Sequence, residues 1–298
     1  MLYHITRSFR ICPVRSYTTG SSNTIPLSFT KYPARGSIQN SSPLAICHGL
    51  FGSKQNWRGL AKAMSQRLSR DVYAMDLRNH GESPHSLPHT YQVMADDLKQ
   101  WVLDQGLKNI TFLGHSMGGK TVMTLALTCP EIVSKLIVAD IAPVHMPLLS
   151  EFPRYVEGFK MIESRQPTRQ TDAEQLMMQY EPDPAIRQFL LTNVKKSRQD
   201  GVYRLRVPID ILGNALGNLG EFIQGHQYHG PTLFITGGIS PYRKLFLAHP
   251  DLVDQQFPHS TMEVMPNCGH WLHAENPELF LSLICNFINN VESHTSIE

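Results

Sequence analysis

The chain has 298 residues, with 27 basic and 25 acidic side chains, and 41% of its residues are hydrophobic. This near-balance of charge argues against a nucleic-acid or membrane-surface protein, because both need a field of one sign. No apolar run approaches the roughly 20 residues of a membrane-spanning helix. The five cysteines show neither CxxC nor zinc spacing, so neither a disulfide scaffold nor a metal site is expected. Composition alone predicts a soluble globular protein and no more.

Residues 1–22 differ in composition from the rest of the chain. Arg7, Arg10 and Arg15 are interspersed with apolar and hydroxyl-bearing residues, and no acidic residue precedes Asp71. A basic amphipathic segment of this kind is typical of a mitochondrial transit peptide. The sequence therefore predicts import into the mitochondrion, into its matrix. The alternative is a disordered tail with a few chance arginines.

Strands and helices alternate along most of the remaining chain. Short apolar runs followed by turn residues predict buried strands, and longer segments with apolar residues at helical spacing predict helices. In chain order these are strand 44–47, helix 55–68, strand 71–75, helix 91–105, strand 110–113, helix 117–128, strand 136–139, strands 232–236 and 262–265, and helix 279–291. Buried strands separated by helices indicate an α/β fold with a mainly parallel sheet over residues 23–298.

The alternation stops between residues 146 and 228. Helical segments with several prolines replace the strands there, and the density of charge rises. We expect the segment 146–228 to be a helical cap that folds over the sheet edge, as an insertion in the domain and not as an independent domain.

A glycine-rich segment between a predicted strand and a predicted helix permits two interpretations. Gly114, Ser116 and Gly118 form G-x-S-x-G, the turn that presents a serine nucleophile on a strained backbone. The residues 114–121, GHSMGGKT, also match the phosphate-binding pattern G-x-x-x-x-G-K-[ST]. Asp140 ends the next predicted strand, as the magnesium-binding aspartate of a P-loop nucleoside triphosphatase would.

Residues outside this segment favour the serine nucleophile. His48 and Gly49 follow an upstream strand, where a hydrolase carries the backbone N–H groups of its oxyanion hole. His270 follows the last strand, on a turn from which it can act as a base. A phosphate-binding loop explains neither feature. It also usually lies much further from its magnesium aspartate than Ser116 lies from Asp140.

Five motifs in order resemble the alpha/beta-hydrolase superfamily: HGLFGS at 48–53, DLRNHGES at 76–83, GHSMGGK at 114–120, DIAP at 140–143 and GHW at 269–271. Within it the chain resembles alpha/beta-hydrolase domain-containing protein 11, small bacterial esterases and mitochondrial ethanol acetyltransferases, from about residue 27 to 290. The resemblance implies an eight-stranded sheet with a helical cap and Ser-Asp-His catalysis, and it leaves the substrate open.

The acid that orients the histidine has three candidates. Many members of the superfamily carry it after the penultimate strand, where this chain has Ser240. The resembling subgroup carries it at the position of Asp140, and the resemblance implies that Ser240 lies beside the histidine as an additional hydrogen-bonding group. Asp251 and Asp254 are the other candidates for the acid, and both are expected on the helix beyond that strand.

The sequence therefore predicts a serine hydrolase that cleaves small carboxylic esters or thioesters. Ser116 is the expected nucleophile, His270 its base and Asp140 the acid. Backbone N–H groups of Leu50 and Met117 are expected to form the oxyanion hole, and no metal or organic cofactor is required. Two alternatives stay open: an alcohol O-acetyltransferase of the same fold that makes acetate esters from acetyl-CoA, and a non-catalytic binding protein.

Overall fold

The computed structural model describes residues 23–34, 41–146 and 149–295. The segment 1–22, in which we predict a transit peptide, lies outside these ranges. The strands are β1 (Phe29–Tyr32), β2 (Leu44–Cys47), β3 (Val72–Met75), β4 (Ile110–His115), β5 (Val133–Ala139), β6 (Val194–Lys196), β7 (Tyr203–Leu205), β8 (Thr232–Gly237) and β9 (Ser260–Met265). The helices are α1 (Arg58–Arg67), α2 (Tyr91–Asp104), α3 (Met117–Thr128), α4 (Glu151–Arg165), α5 (Gln170–Met178), α6 (Pro184–Leu191), α7 (Ile209–Ala215), α8 (Arg243–Ala248), α9 (Pro250–Gln256), α10 (Leu272–Glu275) and α11 (Pro277–Thr295).

Within the described ranges the main sheet has seven strands, in the order β1-β3-β2-β4-β5-β8-β9. The edge strand β1 is antiparallel to β3, and the other neighbours are parallel. The resemblance implied eight strands, which is wrong for this part of the chain. The segment before β1 packs on α2 instead of extending the sheet, because the Ile25 amide donates to the Asp97 carboxylate at 2.9 Å.

The two faces of the sheet are covered by different helices. The strands β2, β3 and β4 are buried along their whole length, which explains their apolar sequences. In β2, Ala45 and Cys47 belong to the core that includes residues of α2 and α3, whereas Leu44 and Ile46 face α1 and α11. The sheet therefore lies between two helical layers, as expected for an α/β fold.

The segment between β5 and β8 contains α4, α5, α6 and α7. It also contains an antiparallel hairpin, in which Val194 of β6 lies opposite Leu205 of β7. The segment is therefore mainly helical, and the hairpin is an element that the sequence-based expectation did not include. Strands of three residues with exposed, charged side chains carry too little apolar alternation to be detected in a sequence. None of the helices in the described ranges is long and apolar enough to cross a lipid bilayer.

The predicted functional residues lie at one edge of the sheet, after the carboxyl ends of the parallel strands. Leu50 follows β2, Ser116 follows β4 and Asp140 follows β5. Ser240 follows β8, and His270 lies on the loop between β9 and α10. Because carboxyl ends of parallel strands lie at the same edge, residues that are far apart in sequence meet there.

Candidate active site

Ser116 occupies a strained turn between β4 and α3. Its φ of 52° and ψ of −116° are unusual for a residue with a side chain, and such a backbone costs about 1–3 kcal/mol. The amide of Ser116 donates to the carbonyl of Ala139 at 3.0 Å, and its carbonyl accepts from the amide of Lys120 at 3.1 Å. Strand and helix thus hold the turn from both sides, and Ser116 lines a pocket.

The glycines on either side of Ser116 are required by close backbone contacts. A Cβ atom at position 114 would lie 2.3 Å from the carbonyl oxygen of Gly118, so strand and helix could not approach as they do. A Cβ atom at position 118 would lie 2.4 Å from the carbonyl oxygen of Cys47 on β2. The G-x-S-x-G pattern therefore reflects the packing of this turn against the sheet.

His270 and Asp140 are joined by a hydrogen bond. The Nδ1 atom of His270 donates to Oδ2 of Asp140 at 2.7 Å, and Asp140 is completely buried. With the proton on Nδ1, the neutral ring has a lone pair on Nε2, and His270 lines the same pocket as Ser116. The rivals Asp251 and Asp254 lie exposed on α9. The structure thus brings Asp140 to the histidine.

The Asp140 carboxylate accepts three further hydrogen bonds. The amide of Gly237 donates to Oδ1 at 2.9 Å and the Thr236 hydroxyl donates to Oδ1 at 3.3 Å. The Ser240 hydroxyl donates to Oδ2 at 2.5 Å. Ser240 and His270 thus bond to the same oxygen atom of Asp140. These donors satisfy the acceptor atoms of a carboxylate that is removed from water.

The predicted oxyanion-hole residues lie next to Ser116. Leu50, Ser116 and Met117 line one small cavity. Met117 is the first residue of α3, and N–H groups of a first helical turn have no acceptor within the helix. The positive end of the helix dipole also favours negative charge at that point. Both residues are therefore placed where backbone N–H groups can stabilise an oxyanion.

Phe51 fixes the loop that carries Leu50. Its φ of 62° lies in the left-handed region. The Phe51 amide donates to Nε2 of His80 at 3.1 Å, and the Phe51 carbonyl accepts from the side-chain amide of Asn193 at 2.7 Å. Asn193 lies between α6 and β6, so the inserted segment contributes to the geometry of this loop. The sequence analysis assigned no role to Phe51 or Asn193, because these contacts join distant parts of the chain.

Two buried histidines connect the loop after β2 with the loop after β3. The Nε2 atom of His48 accepts from the Leu77 amide at 3.0 Å, and its Nδ1 donates to the Gly49 carbonyl at 2.8 Å. His80 uses its ring in the same way, with Nδ1 donating to the Arg78 carbonyl at 2.9 Å. Burial lowers the pKa of both histidines, that of His80 strongly. Neutral rings are required here, since each Nε2 must accept a hydrogen bond.

His115, which precedes Ser116, supports the backbone of His270. Its Nε2 atom lies 2.8 Å from the His270 carbonyl oxygen, and the two rings are 4.7 Å apart. Burial lowers the pKa of His115 well below its ordinary value, with the neighbouring His273 and His270 adding to the effect. The only sequence signal for this residue is its position inside the glycine-rich segment.

The geometry does not support a phosphate-binding loop. Lys120, which would contact phosphate, is 1% exposed and donates to the carbonyls of Gly220 at 2.9 Å and Glu221 at 3.0 Å. Asp140, which would bind magnesium, is engaged with His270. Nor do three or more histidine, cysteine or acidic side chains cluster as metal ligands anywhere in the described residues.

A family model described as the alpha/beta hydrolase fold matches residues 42–277. The chain belongs to this family. It is 37% identical to abhydrolase domain-containing protein C22H12.03 of Schizosaccharomyces pombe, over 89% of this chain and 98% of that protein. It is 38% identical to the sn-1-specific diacylglycerol lipase ABHD11 of Mus musculus, over 82% of this chain and 80% of that protein. A solved marine microorganism esterase is 33% identical, with a TM-score of 0.82, over 89% of this chain and all of that one.

Proposed function

We propose that the chain is a serine hydrolase that cleaves carboxylic ester or thioester bonds through an acyl-Ser116 intermediate. The observation that carries this proposal is the 2.7 Å bond between His270 and the buried Asp140, next to a serine on a strained strand-to-helix turn. The names of two relatives, a lipase and an esterase, also support ester hydrolysis.

The reaction follows from the position of each group. Nε2 of His270 takes the proton of the Ser116 hydroxyl as Oγ attacks the carbonyl carbon. The negative charge that develops on the carbonyl oxygen is stabilised by the N–H groups of Leu50 and Met117. His270 then gives its proton to the leaving alcohol or thiol. Water releases the acyl group by the same steps in reverse order, and Asp140 stabilises the imidazolium ion each time.

The first prediction concerns the nucleophile and the base. We expect Ser116→Ala and His270→Ala each to lower kcat for p-nitrophenyl acetate by about 10⁴–10⁶-fold. Without Ser116 no acyl-enzyme forms, and without His270 no base takes the proton of the serine hydroxyl. The melting temperature of Ser116→Ala should stay near that of the wild type, because the substitution leaves the backbone hydrogen bonds of the turn in place. Steady-state kinetics and thermal unfolding measure the two effects. Full turnover by Ser116→Ala would exclude an acyl-serine intermediate.

Assays with added ethanol distinguish the hydrolase from the acyltransferase alternative. Both reactions share the acyl-serine, and only the acceptor differs. In the presence of ethanol, with p-nitrophenyl acetate or acetyl-CoA as donor, we expect acetate as the main product. Ethyl acetate formed at the expense of acetate, and dependent on Ser116, would place the transferase first.

We also propose that residues 1–22 direct the chain to the mitochondrial matrix. The proposal rests on Arg7, Arg10 and Arg15 in a segment without acidic residues. N-terminal sequencing of the protein recovered from mitochondria should find a shortened chain that begins shortly after Arg15. An intact Met1 would contradict this proposal and leave the hydrolase proposal untouched.

A further inference from the structure

Ser116 lines a small cavity and a neck, and the neck leads to a larger groove. The small cavity, which we call the closed arm, is defined by its lining residues Tyr91, Met117, Ile141, Met146, Leu219 and Tyr242, and its free volume is about 20 Å³. The larger groove, which we call the open groove, is lined by residues that include Leu60, Ala63, Ile186, Phe189, Trp271 and Leu281, and its free volume is about 1050 Å³. A narrow neck that includes Ser116, Phe189 and His270 leads from the serine to the groove.

The chemistry of the reaction assigns one part of the substrate to each cavity. His270 must protonate the leaving oxygen or sulfur, so the leaving group lies on the side of Ser116 that faces His270. Among the described residues, His270 lines the neck and the open groove and is absent from the closed arm. Met117, whose N–H stabilises the oxyanion, lines the closed arm. The acyl group therefore enters the closed arm, and the alcohol extends into the groove.

The closed arm limits the length of the acyl chain. Its side chains at Ile141, Met146, Leu219 and Tyr242 are all nearly completely buried. The Met146 amide donates to the Gly220 carbonyl at 2.9 Å, so the backbone of this wall is fixed. The hydroxyl of Tyr91 donates to the carbonyl of Leu219 at 2.7 Å and holds the wall from the other side. A cavity of this size accepts one or two groups as large as a water molecule.

The open groove combines an apolar surface with negative charge. Asp183, Glu275 and Glu278 line it. Glu278 is paired with Arg67 at 2.7 Å, so the negative charge of the groove rests on Asp183 and Glu275. Asp183 accepts from two amides at the start of α6, and Glu275 accepts from the amides of Gly269 and Trp271. A leaving group with several negative charges, such as coenzyme A, is therefore repelled, whereas a neutral apolar alcohol is accepted.

We infer that the substrates are esters of a short acyl group, of about two or three carbons, with a large, uncharged, apolar alcohol. The inference rests on the proposed function, because it assigns the two cavities through the roles of Ser116 and His270. Met146 and Leu219 set the limit on the acyl chain, and Phe189 contacts the alcohol.

The test measures kcat/KM for two substrate series. In the acyl series, p-nitrophenyl acetate, butyrate and octanoate, we expect the octanoate to be at least about 10-fold poorer than the acetate. In the alcohol series, acetates of ethanol, 2-naphthol and 2-naphthol-6-sulfonate, we expect the neutral naphthyl ester to exceed the sulfonate at least about 10-fold. Met146→Ala or Leu219→Ala should raise the octanoate-to-acetate ratio about 10-fold. Phe189→Ala is the matched control, and it should change the alcohol series and leave that ratio constant.

The possible outcomes separate this inference from the proposed function. Equal turnover of octanoate and acetate by the wild type would overturn it, as would a response of the acyl series to Phe189→Ala in place of Met146→Ala. If Met146→Ala lowers the melting temperature strongly, the milder Met146→Val should show the same direction of change. A lack of Ser116-dependent turnover on every ester would contradict the hydrolase itself.

Discussion

Asp140 combines complete burial, a φ of 53° and four hydrogen-bond donors to its carboxylate. We predict that Asp140→Asn lowers kcat by about 10⁴-fold, because the amide no longer holds the His270 tautomer that a general base needs. Asparagine tolerates the left-handed backbone, so the substitution isolates the chemistry from the fold. Ser240→Ala removes one donor of four, and we expect a loss of only about 10-fold.

The matched control is Asp254→Asn, which makes the same exchange at an exposed position on α9. It should have wild-type kcat, and thermal unfolding should show that all three variants are folded. Near-normal turnover by Asp140→Asn, together with a large loss in Asp254→Asn, would move the acid to α9.

The residues at the centre of the site could be predicted because each has a local sequence requirement. The strained turn at Ser116 needs small neighbours, and Gly114 and Gly118 supply them. The contact of Ser240 could not be predicted. The conformation of the loop after β8 decides whether its hydroxyl bonds to the Asp140 carboxylate or to the His270 ring. Asn193 bonds to Phe51 across 142 positions of sequence, and no local pattern reports such a contact.

At the scale of elements, the buried strands and long helices were predictable and the short exposed ones were not. The predicted strand 44–47 and helix 117–128 have the bounds of β2 and α3. Continuous apolar runs and helical spacing are strong signals when both faces of an element are buried. The edge strand β1 is largely half-buried and has the sequence FTKY, so its apolar pattern is weak. The four-residue helix α10 is too short to show a helical period.

Across the described residues of the molecule, five histidines have a lowered pKa, and four of them are buried. The five are His48, His80, His89, His115 and His273. Burial is the main cause in each case, and it brings the pKa of His89 to about 4 and that of His273 to about 3. Two of these rings, those of His48 and His80, hold the site loops by accepting hydrogen bonds that only a neutral ring accepts. Protonation of these rings and loss of the fold are therefore coupled.

These histidines predict a steep loss of stability in acid. Above pH 6.5, about the pKa of a histidine in the unfolded chain, the rings are neutral in the folded and in the unfolded state. Their contribution to the free energy of unfolding is then fully present. Below that pH the unfolded chain binds protons that the folded chain excludes until the folded pKa is reached. The free energy of unfolding then falls with falling pH by up to about 1.4 kcal/mol per pH unit for each histidine. Each of these groups adds to the slope, so we expect the free energy of unfolding to fall increasingly steeply as the pH falls below about 6.5.

Urea unfolding at pH 7.5, 6.5 and 5.5, with the proton uptake on unfolding at each pH, measures this coupling directly. His89→Gln should reduce the pH dependence by the contribution of one ring, because the unfolded chain then has one proton fewer to bind. The matched exchange His226→Gln, at an exposed position, should leave the dependence as it is. Carboxylates with a lowered pKa, such as Glu292, act only near and below their ordinary value of about 4.5. Burial lowers the pKa of Lys120 to about 7, so this lysine contributes to the proton uptake mainly above about pH 6.5. The loss of stability between pH 6.5 and pH 5.5 is therefore assigned to the histidines. Equal stability at pH 7.5 and 5.5 without proton uptake would show that the buried rings are protonated in the folded protein, and their acceptor role in the site loops would then be wrong.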